Sequence, residues 1–234
     1  MRIAGLQKLT LLDFPGHTAA TVFTPGCNLH CPFCHNADLV IGGSFPTYPL
    51  DDFWAFLDRR QGLLDGVCIT GGEPLLQPDL ATFCAQVRER GFKVKLDTNG
   101  CFPARLRDLI QAHVIDYVAL DVKNAPHRYA ESVGMPDHDG STVRESIDTL
   151  TDAKIGYELR TTVVRELHGE EDLLQLAQWI EGRTPAWFLQ NFEDGDGVLG
   201  GAGRLHPWDP DSLRALMPQL RAIVPSVRLR GLDE

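Results

Sequence analysis

Cys27, Cys31 and Cys34 fall within eight residues, in Pro25-Gly26-Cys27-Asn28-Leu29-His30-Cys31-Pro32-Phe33-Cys34-His35-Asn36. Thiolates are soft metal ligands, and three on one tight CxxxCxxC loop can face a common centre. Gly26 and Pro32 limit the backbone to a wrapped path. Three chemistries are open to such a loop. A structural zinc site would take His30 or His35 as its fourth ligand, although zinc loops more often pair two separate CxxC elements. Inert core cysteines or disulfides would serve no packing need at this spacing. A 4Fe-4S cluster normally takes four cysteines, so three leave one iron without a protein ligand and open to a substrate.

Further polar clusters follow along the chain. Gly71-Gly72-Glu73-Pro74 reads, taken alone, as a strand-to-helix turn. Asp97-Thr98-Asn99-Gly100 reads as a helix cap or Asx turn. Asp121 and Lys123 are one apolar residue apart and so share a sheet face, as an internal ion pair would. Arg160 could pair with a carboxylate if it points inward, but its strand could equally turn it outward. Cys68, Cys84 and Cys101 are widely separated and read as small buried hydrophobes. His17, His113, His127, His138, His168 and His206 show no nucleophile or ligand spacing and read as surface or satisfied side chains.

The elements that must position these clusters alternate in character. Apolar, β-branched runs at 18–24, 66–70, 93–98, 117–122, 158–164 and 187–192 read as strands buried on both faces. Amphipathic stretches at 51–60, 78–90, 103–113, 142–154, 170–181 and 210–223 read as helices, and 227–229 as a short strand. The polar and glycine clusters gather just after the strands, which is the barrel arrangement of chemistry at C-terminal strand ends. Six strands are too few to close an eight-stranded barrel. The expectation is an α/β fold: a partial, TIM-like (β/α)6 barrel of parallel strands, open on one side and helped by the segment 3–13. It would form a single domain over 1–234, with a lead-in over 1–17, the core over 18–192 and an extension over 193–234.

Composition narrows the partners. The 234 residues carry 22 Lys plus Arg against 32 Asp plus Glu, a net charge of −10, which disfavours an unaided nucleic-acid binder. No stretch approaches the ~20 apolar residues of a membrane span. The N-terminus shows no export signature, so the expected compartment is the cytoplasm, where thiols stay reduced. Six cysteines in a chain of this length also exclude a disulfide-stapled miniprotein.

The CxxxCxxC loop, with the aromatic Phe33 before its last cysteine, resembles the radical S-adenosylmethionine superfamily. The resemblance implies a 4Fe-4S cluster on Cys27, Cys31 and Cys34 whose open iron is chelated by the methionine part of S-adenosylmethionine. One electron would then cleave the sulfonium and give a 5′-deoxyadenosyl radical. Gly71-Gly72-Glu73-Pro74 looks like that family's GGEP motif, whose backbone receives the methionine amino group. Asp97-Thr98-Asn99-Gly100 and Asp121-Val122-Lys123 resemble segments of glycyl-radical-enzyme activases. By that likeness Asp97, Thr98 and Asp121 would help hold a monovalent cation near the ligand carboxylate, and Lys123 would face the substrate. The stretches 10–17, 23–27 and 34–36 also resemble the opening of those activases, most closely the anaerobic ribonucleoside-triphosphate reductase activating family, related to the pyruvate formate-lyase activating enzyme. Gln190-Asn191-Phe192 stands where relatives carry a Tyr-His segment that helps seat the adenosine, a departure from the pattern. The implied partners are a glycyl radical enzyme as protein substrate and flavodoxin or ferredoxin as electron donor. The rival readings are a radical enzyme acting on a peptide or small molecule, and a non-catalytic zinc module.

Overall fold

The six apolar runs form strands within two residues of the expected limits: β2 (Ala19–Thr24), β3 (Gly66–Gly71), β4 (Lys93–Thr98), β5 (Tyr117–Asp121), β6 (Gly156–Val163) and β7 (Trp187–Asn191). The computed structural model describes residues 1–41 and 47–232. Two further strands flank the six, β1 (Gly5–Thr10) and β8 (Val227–Arg230). All eight lie in one sheet in sequence order; β1 pairs antiparallel with β2, and each later pair is parallel. Among the described residues β1 and β8 form no ladder, so the TIM-like barrel stays open on that side. The segment 193–234 therefore contributes to the sheet itself, because its β8 pairs along β7.

Helices α1 (Ala37–Ile41), α2 (Leu50–Asp58), α3 (Leu80–Glu89), α4 (Pro103–Gln111), α5 (Tyr129–Val133), α6 (Ser141–Asp152), α7 (Glu170–Ile180) and α8 (Pro210–Ile223) fill the connections and the C-terminal segment. Their apolar stripes bury residues such as Phe83 and Val87 of α3, Ile147 and Leu150 of α6, and Leu173 and Leu176 of α7. Val94 and Leu96 of β4, Val118 and Leu120 of β5, and Leu159 of β6 belong to the same continuous core. Among the described residues no helix is long and apolar enough to cross a membrane.

The strands are buried on both faces, but the two faces differ in kind. Successive strand residues alternate sides. On β4, Val94 and Leu96 face the helices, while Lys95 and Asp97 face the barrel interior and are buried as well. Glu158 of β6 is buried on the same inner side, bonded to Tyr117 Oη at 3.3 Å and to Arg230 at 3.2 Å. A run that reads as continuously hydrophobic thus hides an inner face of paired charges.

Candidate functional site

The cysteine loop leaves the C-terminal end of β2 and is clamped on several sides. β3 runs parallel beside it, with Thr24 opposite Gly71. Gly72 N donates to Thr24 O at 2.8 Å, and Glu73 N to Gly26 O at 2.7 Å. This approach explains both glycines of the Gly-Gly-Glu turn. Gly71 has φ +117, and a Cβ there would lie 2.3 Å from Thr24 N. A Cβ on Gly72 would lie 1.9 Å from Gly26 O. The pair is thus required by the protein's own backbone packing before any ligand enters.

Elsewhere His30 N donates to Val133 O at 2.9 Å, and Gly26 N to Leu39 O at 2.8 Å. Leu199 N donates to Cys34 O at 2.9 Å, and Gly200 N to Pro32 O at 2.7 Å. Asn36 Nδ2 donates to Gly71 O at 3.2 Å, and Asn99 Nδ2 to Asn28 Oδ1 at 2.8 Å. A loop bonded from β3, α1, α5, the β4 end and the 199–200 segment has little freedom, which suits a pre-set ligand geometry.

Behind the loop sits Glu73, fully buried. Its Oε1 accepts from Leu75 N at 2.9 Å and Thr98 Oγ1 at 2.8 Å, and its Oε2 from Asn99 N at 2.8 Å. Burial pushes its carboxyl up to about 7, against the pull of these three donors. Glu73 therefore ties the β3 turn to the β4 end and does not border the cavity.

Across the inner face runs a string of alternating charges. Lys95 Nζ bonds Asp97 Oδ1. Arg160 Nη1 donates to Asp97 Oδ2 at 3.0 Å, and its Nε to Asp121 Oδ1 at 2.8 Å. Lys123 Nζ donates to Asp121 Oδ2 at 3.0 Å. Arg160 thus points inward, opposite Asp121 in the β5–β6 register. Burial opposes the charged forms of both aspartates, yet Arg160 with the two lysines holds each carboxyl below its ordinary value. Burial likewise opposes the Lys123 charge, and Asp121 more than offsets it.

These groups open on one cavity of about 300 Å³, at the lower end of the range for small-molecule sites. Cys27, Cys31, Phe33, Cys34, Gly71, Gly72, Asp97, Thr98, Asn99, Asp121, Lys123, Arg160 and Gln190 all border it. The structure brings every expected site residue except Glu73 to this wall. The donor set fits a 4Fe-4S cluster. Three thiols face one space, and Cys27 Sγ takes two long contacts, from Leu29 N at 3.5 Å and Asn99 Nδ2 at 3.8 Å. Burial pushes the Cys27 thiol up and the Cys31 thiol up to about 12; bound iron reverses that preference by stabilising thiolate.

The expected monovalent cation does not fit. All four oxygens of Asp97 and Asp121 already receive nitrogen donors from Lys95, Arg160 and Lys123. Thr98 Oγ1 is turned away toward Glu73.

Several contributors escaped the sequence reading. His168 is fully buried; its Nε2 donates to Lys123 O at 2.8 Å while its Nδ1 accepts from Val164 N at 3.1 Å, so the ring holds the Lys123 backbone in place. Its edge also meets Phe33, centroids 6.5 Å apart. No local signal announces a contact across 45 residues. Lys95 escaped because it sits within an apolar run, although an Asp two residues on was a usable hint. Cys84 is a buried core residue. Cys68 is buried too, but faces Asp97 Oδ1 at 3.7 Å. Cys101 is half-buried and packs against the edge of the core, with its Sγ 3.2 Å from His138 Nε2. Asn191 turns away from the cavity to exchange bonds with the Trp208 backbone at 2.8 and 2.9 Å, leaving Gln190 on the wall.

Comparison with known proteins agrees with this geometry. The family model described as the radical SAM superfamily matches residues 21–180. A Methanocaldococcus jannaschii protein, named provisionally as a glycyl-radical enzyme activating enzyme, is 33% identical over 99% of this chain and 96% of its own. The pyruvate formate-lyase-activating enzyme of Clostridium pasteurianum is 34% identical over 53% of this chain and 52% of its own. The crystal structure of Streptococcus suis SuiB bound to S-adenosylmethionine is similar in fold, with a TM-score of 0.66 at 17% identity, covering 91% of this chain and 52% of that one. The chain thus spans about half the length of the latter two proteins.

Proposed function

The chain belongs to the radical SAM superfamily and is an enzyme, and from that premise we propose that it is an activase that installs a radical on a glycine of a partner glycyl radical enzyme. The observation that carries this reading is the convergence of three cysteines, the Gly71-Gly72 turn and the polar ends of β4, β5 and β6 on one cavity. The similarity to an activating enzyme over nearly its whole length supports the choice of substrate class.

When bound, a 4Fe-4S cluster and S-adenosylmethionine supply the electron and the hydrogen-abstracting carbon centre. The protein does the rest. Cys27, Cys31 and Cys34 hold the cluster on the clamped loop. Arg160 and Lys123 bring three fixed cations, with Lys95, against two carboxylates, and the surplus charge favours a ligand carboxylate. Phe33 and Leu29 give the wall an apolar portion, and Gln190 also lines it, in the chain position where relatives help seat the adenosine. Lys123, 5.9 Å above the Phe33 ring, faces the reacting space. The partner is proposed to be anaerobic ribonucleoside-triphosphate reductase, the electron donor a reduced flavodoxin or ferredoxin, and the compartment the reducing cytoplasm.

The test is anaerobic reconstitution followed by reaction with dithionite, S-adenosylmethionine and candidate glycyl radical enzymes. About four irons per chain, formation of methionine and 5′-deoxyadenosine, and a glycine-centred signal by electron paramagnetic resonance are expected. Cys27→Ala, Cys31→Ala and Cys34→Ala should each abolish cleavage, while Cys84→Ala, within the helical layer, should retain it. Turnover of a peptide or small molecule with no glycyl radical on any candidate would overturn the activase reading. One tightly held zinc and no cleavage would overturn the whole of it.

A further inference from the structure

The resemblance to activases implies a monovalent cation between Asp97, Thr98 and Asp121, yet this chain has put a side chain there. Arg160 Nη1 lies 3.0 Å from Asp97 Oδ2, and its Nε 2.8 Å from Asp121 Oδ1. The guanidinium therefore spans the two carboxylates that would otherwise ligate an ion. The outer oxygens are committed as well. Asp121 Oδ2 accepts from Lys123 Nζ at 3.0 Å. Asp97 Oδ1 is bonded to Lys95, which at 1% exposure has no water to turn to and cannot release its partner cheaply. The third would-be ligand is also engaged elsewhere: Thr98 Oγ1 donates to Glu73 Oε1 at 2.8 Å and accepts from Gly100 N at 3.2 Å.

Charge leads to the same place. Lys95, Arg160 and Lys123 set three positive charges against the two of Asp97 and Asp121. A bound monovalent ion would raise the surplus from one to two in a half-buried site, where like charges are screened less than in open water. Arg is also the better filler. Its planar fork makes two directed bonds to two carboxylates at once and it stays charged at any working pH, whereas an ion must be stripped of water and recaptured.

We propose that the Arg160 guanidinium takes the place of the monovalent cation, so that this enzyme binds its carboxylate-bearing ligand without any added alkali ion. Arg160 acts here as a positioning residue, fixing Asp97 and Asp121 relative to one another and leaving one unit of positive charge for the ligand. The proposal rests on the S-adenosylmethionine reading for the identity of the ligand, but not for the state of the ion site.

Two measurements on the anaerobically reconstituted full chain test it. The first titrates thallium(I), a potassium mimic, and follows its nuclear magnetic resonance line. The second measures S-adenosylmethionine affinity calorimetrically in potassium, sodium or choline chloride at equal ionic strength. The wild type should show no saturable thallium site, and its affinity should vary by less than about twofold among the three salts. Arg160→Ala opens the space between the two carboxylates. It should gain a thallium site and bind S-adenosylmethionine about tenfold or more weakly in choline, with part of the loss recovered in potassium. Arg160→Lys, which keeps the charge, should stay insensitive to salt identity, and thermal melts verify that both variants are folded. A saturable thallium site in the wild type, a potassium requirement for its ligand binding, or a folded Arg160→Ala that gains no ion would each overturn the proposal. Failure to bind S-adenosylmethionine in every salt would sink the activase reading instead, and the thallium titration would still decide this one.

Discussion

Leu96 and Asp97 are consecutive residues of β4, and both are buried, yet they stabilise the molecule by different physics. Leu96 packs with the helical layer, where burial of apolar area is additive, non-directional and tolerant of shape-conserving exchange. Asp97 sits inside the barrel between Lys95 and Arg160, where each group is affordable only while its neighbour is present. One face of the sheet holds the fold together by area, and the other by pairing. The pairing face is the one that borders the cavity, so a residue lost there removes a binding contact and a structural one together.

The largest effect should therefore come from the inner face. Asp97→Ala would leave Lys95 buried and Arg160 half-satisfied, and a broken buried pair of this kind costs about 3–5 kcal/mol. Urea melts of the metal-free protein would measure it. Replacing Lys95→Met together with Asp97→Leu should restore much of that stability but not the ligand affinity, since Arg160 would remain without its anchor. If the double replacement melts no higher than Asp97→Ala alone, then pairing is not what the inner face depends on. Leu96→Ala is the counterpart on the outer face. It should cost about 2–5 kcal/mol through lost burial and the cavity left behind, while S-adenosylmethionine affinity of the reconstituted protein stays unchanged. A shift in affinity there would show that the two faces are not energetically separate.

The outer face was the more legible of the two in the sequence. Hydrophobic runs of the right length are local signals, and all six predicted strands appear within two residues of their expected limits. β1 was legible only as a lead-in segment, because Gly5–Thr10 carries a mixed pattern that suits an antiparallel edge. The cysteine loop and the strand-end motifs were equally local, which is why their common cavity could be anticipated. Pairing was not local. That Arg160 reaches both Asp97 and Asp121, across 63 and 39 residues, depends on strand register and on which way the sheet curls. A motif borrowed from relatives named the two aspartates, but the side chain that pairs with both of them comes from a different strand.

Glu73 offers an intermediate case, buried like Leu96 and hydrogen-bonded like Asp97, but with no cation beside its oxygens. Glu73→Gln keeps the shape and replaces one acceptor oxygen by an amino group. With donors from Leu75, Thr98 and Asn99 already aimed at both oxygens, one donor must then face another. A loss of about 1–3 kcal/mol is expected, the scale of a buried hydrogen-bonding group left unsatisfied.

The smallest effect is the pH dependence of stability, and the two kinds of buried carboxyl should give it opposite signs. Asp97 and Asp121 are held below their ordinary value, so their contribution is complete above the unfolded value of about 3.9 and fades only as pH falls through the lower, folded one. Glu73 is the reverse. Its folded value of about 7 lies above the ordinary value of 4.5, so the native state binds more protons between them and loses stability as pH rises through that window. The metal-free wild type should thus carry a downward component in melting temperature from about pH 4.5 to about 7. Glu73→Gln, which cannot ionise, should lack that component, while Asp97→Asn should keep it and instead flatten the fall below about pH 4. Identical slopes in the wild type and Glu73→Gln would mean that the three donors hold Glu73 ionised across the whole range. Its physics would then belong with the paired inner face, with N–H and O–H dipoles from Leu75, Asn99 and Thr98 doing for Glu73 what Arg160 does for the two aspartates.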